Sequence, residues 1–496
     1  MPNAGLLDLV AHGVQDIYLI GNPQITFFKV VYKRHTNFSM ESIQATIDGE
    51  TDFGKKSIIR IPRKADLMHT ITLEVDLPQL STQAGNASAN TAATGTVTWV
   101  DNIGHALLNF LEFKIGGNII ERQYGEWMEI WTQLTVSESR KSGLDIMLDR
   151  TGSLATTGPK TVYIPLQLWF CRNIGLALPL CALQYHEVEL EITLRDFSQL
   201  TTLGPNQYYN VSNATVGSNT VTLTKINTTQ TPSLDDSFPG RYLVFPDGSS
   251  YTLADNAGPV NNFTDAGPYT VTLTTNLATT YSDNSEVYLK KNGVLTESSY
   301  SITDMRLFID YVYLDTYEKK EFSIAKHRYL IEQIQESGIE SLSENTITQK
   351  FNLNFNLPVK ELFWTIQLNR VNRTNDLFNY SNTVADGINQ DNIMDKCVIL
   401  MNGLERFQER KAEYFRLIQP YYKHTRVPDK YFYIYSFAIQ PEEHQPSGCS
   451  NFSKIDTIDV NLTLNANNPD MNLRFYALNY NILRIYNGMG GIAFSN

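Results

Sequence analysis

Cysteine is scarce and unpatterned: Cys171, Cys181, Cys397 and Cys449 are the whole set, and no two stand in a CxxC pair. That spacing excludes a zinc ribbon and a disulfide framework, and buried free thiols made in a reducing compartment are expected. Positive charge is in deficit too, with 40 Lys and Arg against 52 Asp and Glu and a formal net charge of -12. A field of that sign repels phosphate backbones, so no direct nucleic-acid binding is expected. Long apolar runs are missing as well: the most apolar stretch, Asn173 to Tyr185, falls short of the ~20 residues a membrane helix needs. Asp8 and Asp16 interrupt the apolar positions at the start and no basic run precedes them, so no secretory signal is legible and a soluble cytosolic product is expected.

Catalytic spacing is equally thin. His186-Glu187 lacks the second histidine of a zinc-binding HExxH, and Glu442-Glu443-His444 sits on a Pro-rich loop with Cys449 five residues on, a structural loop before a metal site. No GxSxG elbow occurs, and Gly488, Gly490 and Gly491 match neither a Walker loop nor a dinucleotide fingerprint. The reading is therefore no enzyme, with no catalytic, cofactor-binding or metal residues. Abundant carboxylates and aromatic strands leave one alternative, a tandem β-sandwich that binds or cleaves carbohydrate. Sequons at Asn210, Asn213, Asn227 and Asn262 follow from a Thr-rich composition and are expected to be unused.

What the chain does have is strands. Its 27 Tyr and 24 Phe favour pleated structure. From Val188 to Arg195 the pattern is strict: Val188, Leu190, Ile192 and Leu194 take one face, and Glu189, Glu191, Thr193 and Arg195 the other. That period of two marks a half-buried strand with its charged face in water. An aromatic strand from Trp169 and a buried loop carrying Pro179 precede it. The unit recurs: Tyr431, Tyr433, Tyr435, Phe437 and Ile439 alternate, the loop PEEHQPSG follows, and then Ile458, Val460, Leu462 and Leu464 alternate. Ile458 lies 270 residues after Val188. Leu357-Pro358 follows Leu77-Pro78 by 280, and Glu405-Arg406 follows Glu121-Arg122 by 284, each of the latter pairs after a Gly/Asn turn. Three colinear matches predict a duplicated β-domain. A length of 496 residues exceeds what one core serves, so two cores fit.

In chain order, residues 1–26 form an N-terminal amphipathic arm, with Leu6, Val10, Val14 and Ile17 at helical spacing. The first β-domain spans 27–198. Within it Leu80 to Thr98 reads as an exposed loop, and Trp127, Ile130, Trp131 and Leu134 as a short helix covering a sheet edge or end. Residues 199–299, rich in Thr, Ser, Asn and Gly, read as an inserted β-rich module, and residues 300–330 are expected to complete the first domain. Lys319 to Glu336 is a charged, partly helical connector. The second β-domain spans 331–496, opening on Phe351, Leu353, Phe355 and Leu357; its Gly488, Gly490, Gly491 tail is left unassigned.

Four stretches carry a resemblance to a known family: AGLLDLVAHGVQDIYLIGNPQITFFKVVYKRHTNF, WFCRNIGLALPLCALQYHEVELEI, DYVYLDTYEKKEF with HRYLIEQIQ, and YSFAIQPEEHQPSGCSNFSKID. They resemble the major capsid proteins of nucleocytoplasmic large DNA viruses across both β-domains, failing across about 199–300. The resemblance implies an all-β tandem (double) jelly roll, two eight-stranded antiparallel β-sandwiches with short covering helices. It also implies a homotrimer forming a pseudo-hexagonal capsomer, which tiles an icosahedral virion shell with neighbouring capsomers and minor capsid proteins near an internal viral membrane. It puts the arm on the inner side and long loops on the outer crown. Synthesis and assembly in the host cytoplasm are expected, and the insertion is expected to project outward, toward a host or an accessory protein.

Overall fold

The computed structural model describes residues 13–16, 20, 22, 34–80, 97–150, 159–203, 207–225, 242–245, 249–252, 269–283, 285–290, 300–343, 346–369, 375–382, 391–465 and 470–494. The chain divides into two units, residues 1–38 and 39–496. In the first, Val14–Asp16 make a single 3-10 turn; most of the expected arm and of the loop from Leu80 to Thr98 lies outside the described residues.

Eight strands build the first sandwich: β1 Phe38–Ala45, β2 Lys56–Arg60, β3 Leu67–Leu77, β4 Leu108–Ile115, β5 Asn118–Tyr124, β6 Lys160–Pro165, β7 Val188–Leu194 and β8 Asp304–Leu314. They lie in two sheets, ordered β1-β8-β3-β6 and β2-β7-β4-β5, each extended by a two-residue strand, Leu178–Pro179 beside β3 and Asp48–Gly49 beside β2. Eight more build the second: β9 His327–Leu342, β10 Thr348–Asn352, β11 Pro358–Leu368, β12 Met394–Met401, β13 Leu404–Glu405, β14 Tyr433–Ser436, β15 Ile458–Leu464 and β16 Met471–Tyr486. Their sheets run β9-β16-β11-β14 and β10-β15-β12-β13, with two-residue strands at Ser450–Asn451 beside β11 and Arg410–Lys411 beside β12. Each strand of the second set occupies the place of the strand eight earlier. This 1-8-3-6 and 2-7-4-5 order is a jelly roll, made twice.

The register repeats with the order. Val188, Leu190 and Ile192 of β7 face Ile115, Phe113 and Leu111 of β4. Ile458, Val460 and Leu462 of β15 face Met401, Ile399 and Cys397 of β12. The 270-residue repeat read from β7 and β15 is thus a true structural equivalence, and the two Glu-Arg pairs both lie just past equivalent hairpin turns. The Leu-Pro pair is not equivalent: Leu77 ends β3, whereas Leu357 kinks at a positive φ of 65° and Pro358 begins β11. Each sandwich closes over its own core, around Leu73, Phe113, Leu190 and Leu307 in one and Leu362, Trp364, Val460 and Leu473 in the other.

Several local expectations change. Trp169–Arg172 is one helical turn, not an aromatic strand. The charged face of β7 is not open to water: Glu191 is buried, with Lys56 Nζ at 2.6 Å and Lys114 Nζ at 2.8 Å, because neighbouring strands lay their long cations across it. Of the connector, only Thr316–Ile324 is helical, and from His327 the chain is already in β9. Cys397 is buried and Cys449 exposed, and all four cysteines are free.

Between β7 and β8, strands Gln207–Ser212, Thr220–Lys225, Tyr242–Val244, Ser250–Thr252, Tyr269–Thr272 and Ser285–Lys290 pair in a separate six-stranded antiparallel sheet. It has its own apolar cluster, including Val211, Leu223, Leu243, Phe245 and Val287. The sequons at Asn227 and Asn262 lie outside the described residues.

Candidate functional site

The densest chemistry lies where the two sandwiches meet. Between β5 and β6 the chain forms helix α1, Gly125–Thr135, then α2, Glu138–Leu148. Gly125 opens α1 because a Cβ there would stand 2.2 Å from the His105 carbonyl oxygen and 2.4 Å from that of Leu108. The helix therefore lies tight on its own sandwich. Its apolar face, Trp127, Ile130, Trp131 and Leu134, turns the other way and packs on the second sandwich, against Ile334, Phe363, Tyr476 and Leu478. The Trp127 ring centroid is 4.9 Å from that of Phe363, edge to face, and 5.9 Å from that of Tyr476. The sequence spacing announced the helix and its stripe, but it covers the outer face of the other sandwich's sheet, not an edge or end. Here lies the difference between equivalent strands. β3 alternates buried and half-exposed residues, while β11 is buried on both faces, its polar Lys360, Glu361, Thr365 and Gln367 included.

Polar side chains pin the ends of that contact. Glu126 accepts from Tyr476 Oη at 2.8 Å and Thr365 Oγ1 at 3.1 Å, and pairs with Arg474. Burial alone would raise its pKa, yet the Arg474 charge and the Tyr476 hydrogen bond hold it below the usual carboxylate value. One turn on, Glu129 accepts from Asn102 Nδ2 at 2.6 Å and Gln133 Nε2 at 2.9 Å, meets His105 Nδ1 at 3.0 Å, and pairs with Arg150. Burial works against its charge, but Arg150 and His105 outweigh it and keep this carboxyl far below its ordinary range. Arg426 of the second sandwich donates from Nε to the Gln133 carbonyl at 2.9 Å. Glu332 of β9 joins both sides, with Arg172 Nη1 at 3.0 Å and the buried Lys360. Nearby Glu121 accepts from Gln123 Nε2 at 2.6 Å and the Trp169 amide at 3.2 Å, and burial pushes its pKa up to about 7.

Residues weighed as metal ligands have other work. His186 Nδ1 lies 3.0 Å from the Gly490 carbonyl, and the Tyr185 amide donates to the Gly488 carbonyl at 2.9 Å. The glycine tail is thereby assigned: β17, Met489–Ile492, pairs with β16 and lies against the first sandwich. A Cβ on Gly488, whose φ is +77°, would stand 2.4 Å from the Tyr185 ring. Glu442 faces not His444 but His424, at 3.0 Å, and Glu361 holds the other ring nitrogen at 2.8 Å. No group of three or more metal-ligating side chains occurs among the described residues.

Burial alone would lower the His424 pKa, but the charges and hydrogen bonds of Glu361 and Glu442 raise it to about 9. A raised folded-state value means that this stabilisation is complete below the ordinary 6.5 and is lost as pH climbs through about 9. The expected result is a melting temperature that falls over that alkaline interval in the native chain and loses this component in His424→Gln. Parallel melting curves for the two proteins would refute it. The clamp joins residues 63 and 18 positions apart, so no local motif could have disclosed it.

Two jelly rolls in one chain, their seam closed by packing and ion pairs, define a double jelly-roll protein. The comparisons then make it particular. Residues 26–235 match the family model of the major capsid protein N-terminus, and residues 318–491 that of the large eukaryotic DNA virus major capsid protein. The chain belongs to the major capsid proteins of nucleocytoplasmic large DNA viruses. It is 35% identical over 522 residues to the major capsid protein of Pyramimonas orientalis virus, covering 99% of each chain. To that of Phaeocystis pouchetii virus it is 32% identical over 605 residues, again with 99% of each covered. A chain in a quasi-atomic model of the PBCV-1 virus capsid matches at 27% identity with a TM-score of 0.63, over 95% of this chain and all of that one. These families and relatives are structural capsid proteins, not enzymes. Nothing in the comparisons supports the carbohydrate reading, and the first match runs into the inserted segment, further than the resemblance legible by eye.

Proposed function

We propose that this chain forms homotrimers, each a pseudo-hexagonal capsomer that tiles an icosahedral virion shell together with neighbouring capsomers and minor capsid proteins. The observation that carries the proposal is the strand order repeated in full, since three copies would set six like sandwiches in one ring. Closed sandwiches leave few free sheet edges and keep loops for contacts between capsomers. The net charge of -12 suits a shell that encloses a genome, across an internal membrane, without touching it. Synthesis and assembly in the host cytoplasm belong to the same reading. We further propose the division into an arm at 1–26, a first roll at 27–198 completed within 300–330, an inserted module at 199–299 that projects outward, and a second roll whose first strand opens at His327, four residues ahead of the boundary of 331 read from the sequence, and which runs to 496. Pairing of β8 with β3 across the inserted sheet supports the discontinuous first roll.

Native mass measurement tests the trimer: three times 56.2 kDa is expected, and a stable folded monomer at high concentration overturns the reading. Removing residues 1–26 should leave that trimer intact and impair shells seen by electron microscopy.

A further inference from the structure

The chain holds half of a contact it makes once in full. Within one molecule, the helix between the fifth and sixth strands of the first sandwich, α1, lies on the outer face of the sheet β9-β16-β11-β14. At the same point of the second sandwich, between β13 and β14, stands a π-helical turn, Tyr414–Ile418, running into helix α3, Gln419–Lys423. This segment has no such cover among the described residues. Ile418 is 46% exposed, Tyr421 71% and Tyr422 75%, and Lys423 Nζ donates to the Ala438 carbonyl at 2.8 Å, bringing exposed Ile439 alongside.

The sheet equivalent to the one under α1 is β1-β8-β3-β6; its outer face is packed by Phe322 at the Leu67 and Val312 end, and among the described residues the rest has no cover like that on β11. Tyr163 of β6 is 41% exposed, and Thr72, Glu74 and Asp76 of β3 are half-buried beside Phe308 of β8. On this face Arg306 stands 2.8 Å from Glu74, 2.6 Å from Asp76 and 3.4 Å from Asp304, three carboxylates about one guanidinium. With Asp310 the face carries four acids against that one base. The segment from Arg410 to Lys423 has the opposite balance: Arg410, Lys411, Arg416 and Lys423 against Glu413. An apolar stripe with basic flanks and an acidic, partly apolar sheet face are complementary in both respects.

We infer that the Tyr414–Lys423 segment of one copy docks on the outer face of β1-β8-β3-β6 of the next copy, repeating between chains the contact that α1 makes within one. Helix and sheet face are different surfaces, so the contact is heterologous, and such contacts close into rings when the rotation between copies permits. The receiving face is more polar than the one under α1, as suits surfaces that meet water before assembly. The inference rests on the trimer reading, of which it names the interface.

Two measurements on the full chain test it. The first is native mass of Ile418→Asp/Tyr421→Asp, with Ile146→Asp, an apolar site on α2 as exposed as Tyr421, as the control and circular dichroism to verify folding. The double variant is expected to lose at least tenfold in trimer affinity while the control stays trimeric. The second is zero-length carbodiimide coupling of the native protein, read by peptide mass within the gel bands of two and three chains. Lys411 or Lys423 should be joined there to Glu74, Asp76 or Asp304. A native trimer that survives the double substitution and gives no such links overturns the surface while leaving the trimer standing. Links confined to single chains also overturn it, and a monomeric native protein removes the trimer and this interface together.

Discussion

Trp127→Ala is expected to lower stability by about 3 to 5 kcal/mol, the usual cost of truncating a fully enclosed large aromatic side chain. Trp127 has no exposure, and its ring meets Phe363, Tyr476 and Trp131, two of them on the opposite sandwich. The void would therefore open in the seam, where neither core can collapse to fill it. Chemical denaturation followed by tryptophan fluorescence checks this. Should the midpoint move by less than the equivalent of about 1 kcal/mol, the seam is not what holds the sandwiches together. Tyr421→Ala, at an exposed aromatic, should change the stability of the isolated chain by no more than about 0.5 kcal/mol.

Glu129→Gln should be nearly as costly, about 3 kcal/mol or more, because it leaves Arg150 and its neighbours buried without their shared anion. Four groups converge on the Glu129 carboxylate, and the replacement amide turns a donor toward at least one of them. The pH dependence supplies a second reading. A carboxyl held below its ordinary value of 4.5 contributes stability above that value and loses it as pH falls toward the folded-state value. Acid unfolding of the native chain should therefore be steeper than that of Glu129→Gln. Equal slopes with unequal midpoints would put the cost in packing instead.

How much of this could be read from the sequence follows from which faces are covered. β7 and β15 bury one face each and show their alternation plainly, and their 270-residue repeat survives in the register. β11 is buried on both sides, one by its own core and one by α1, so Phe363 interrupts the alternation of Leu362 to Leu368 and the polar Lys360 and Glu361 lie inside. The stripe on α1 disclosed a helix but not its target, because the receiving surface is assembled from strands more than 200 residues downstream. Buried ion clusters failed for a related reason. Glu121, Arg172, Glu332 and Lys360 come from four separated segments, and each alone looks like a solvated surface charge. The Leu-Pro match misled because a pair of common residues marks a kink in one copy and a strand end in the other. The family resemblance rested on long composite stretches, and it carried what periodicity could not.

One strand imposes an order on the birth of the molecule. β16 gives Leu473 and Phe475 to the second core, and Leu483 and Ile485 to the first. β17 then returns to lie beside Tyr185 and His186. The first core therefore stays incomplete until the last strand of the second sandwich has been made. A chain cut short before β16 leaves both cores, not one, without apolar partners.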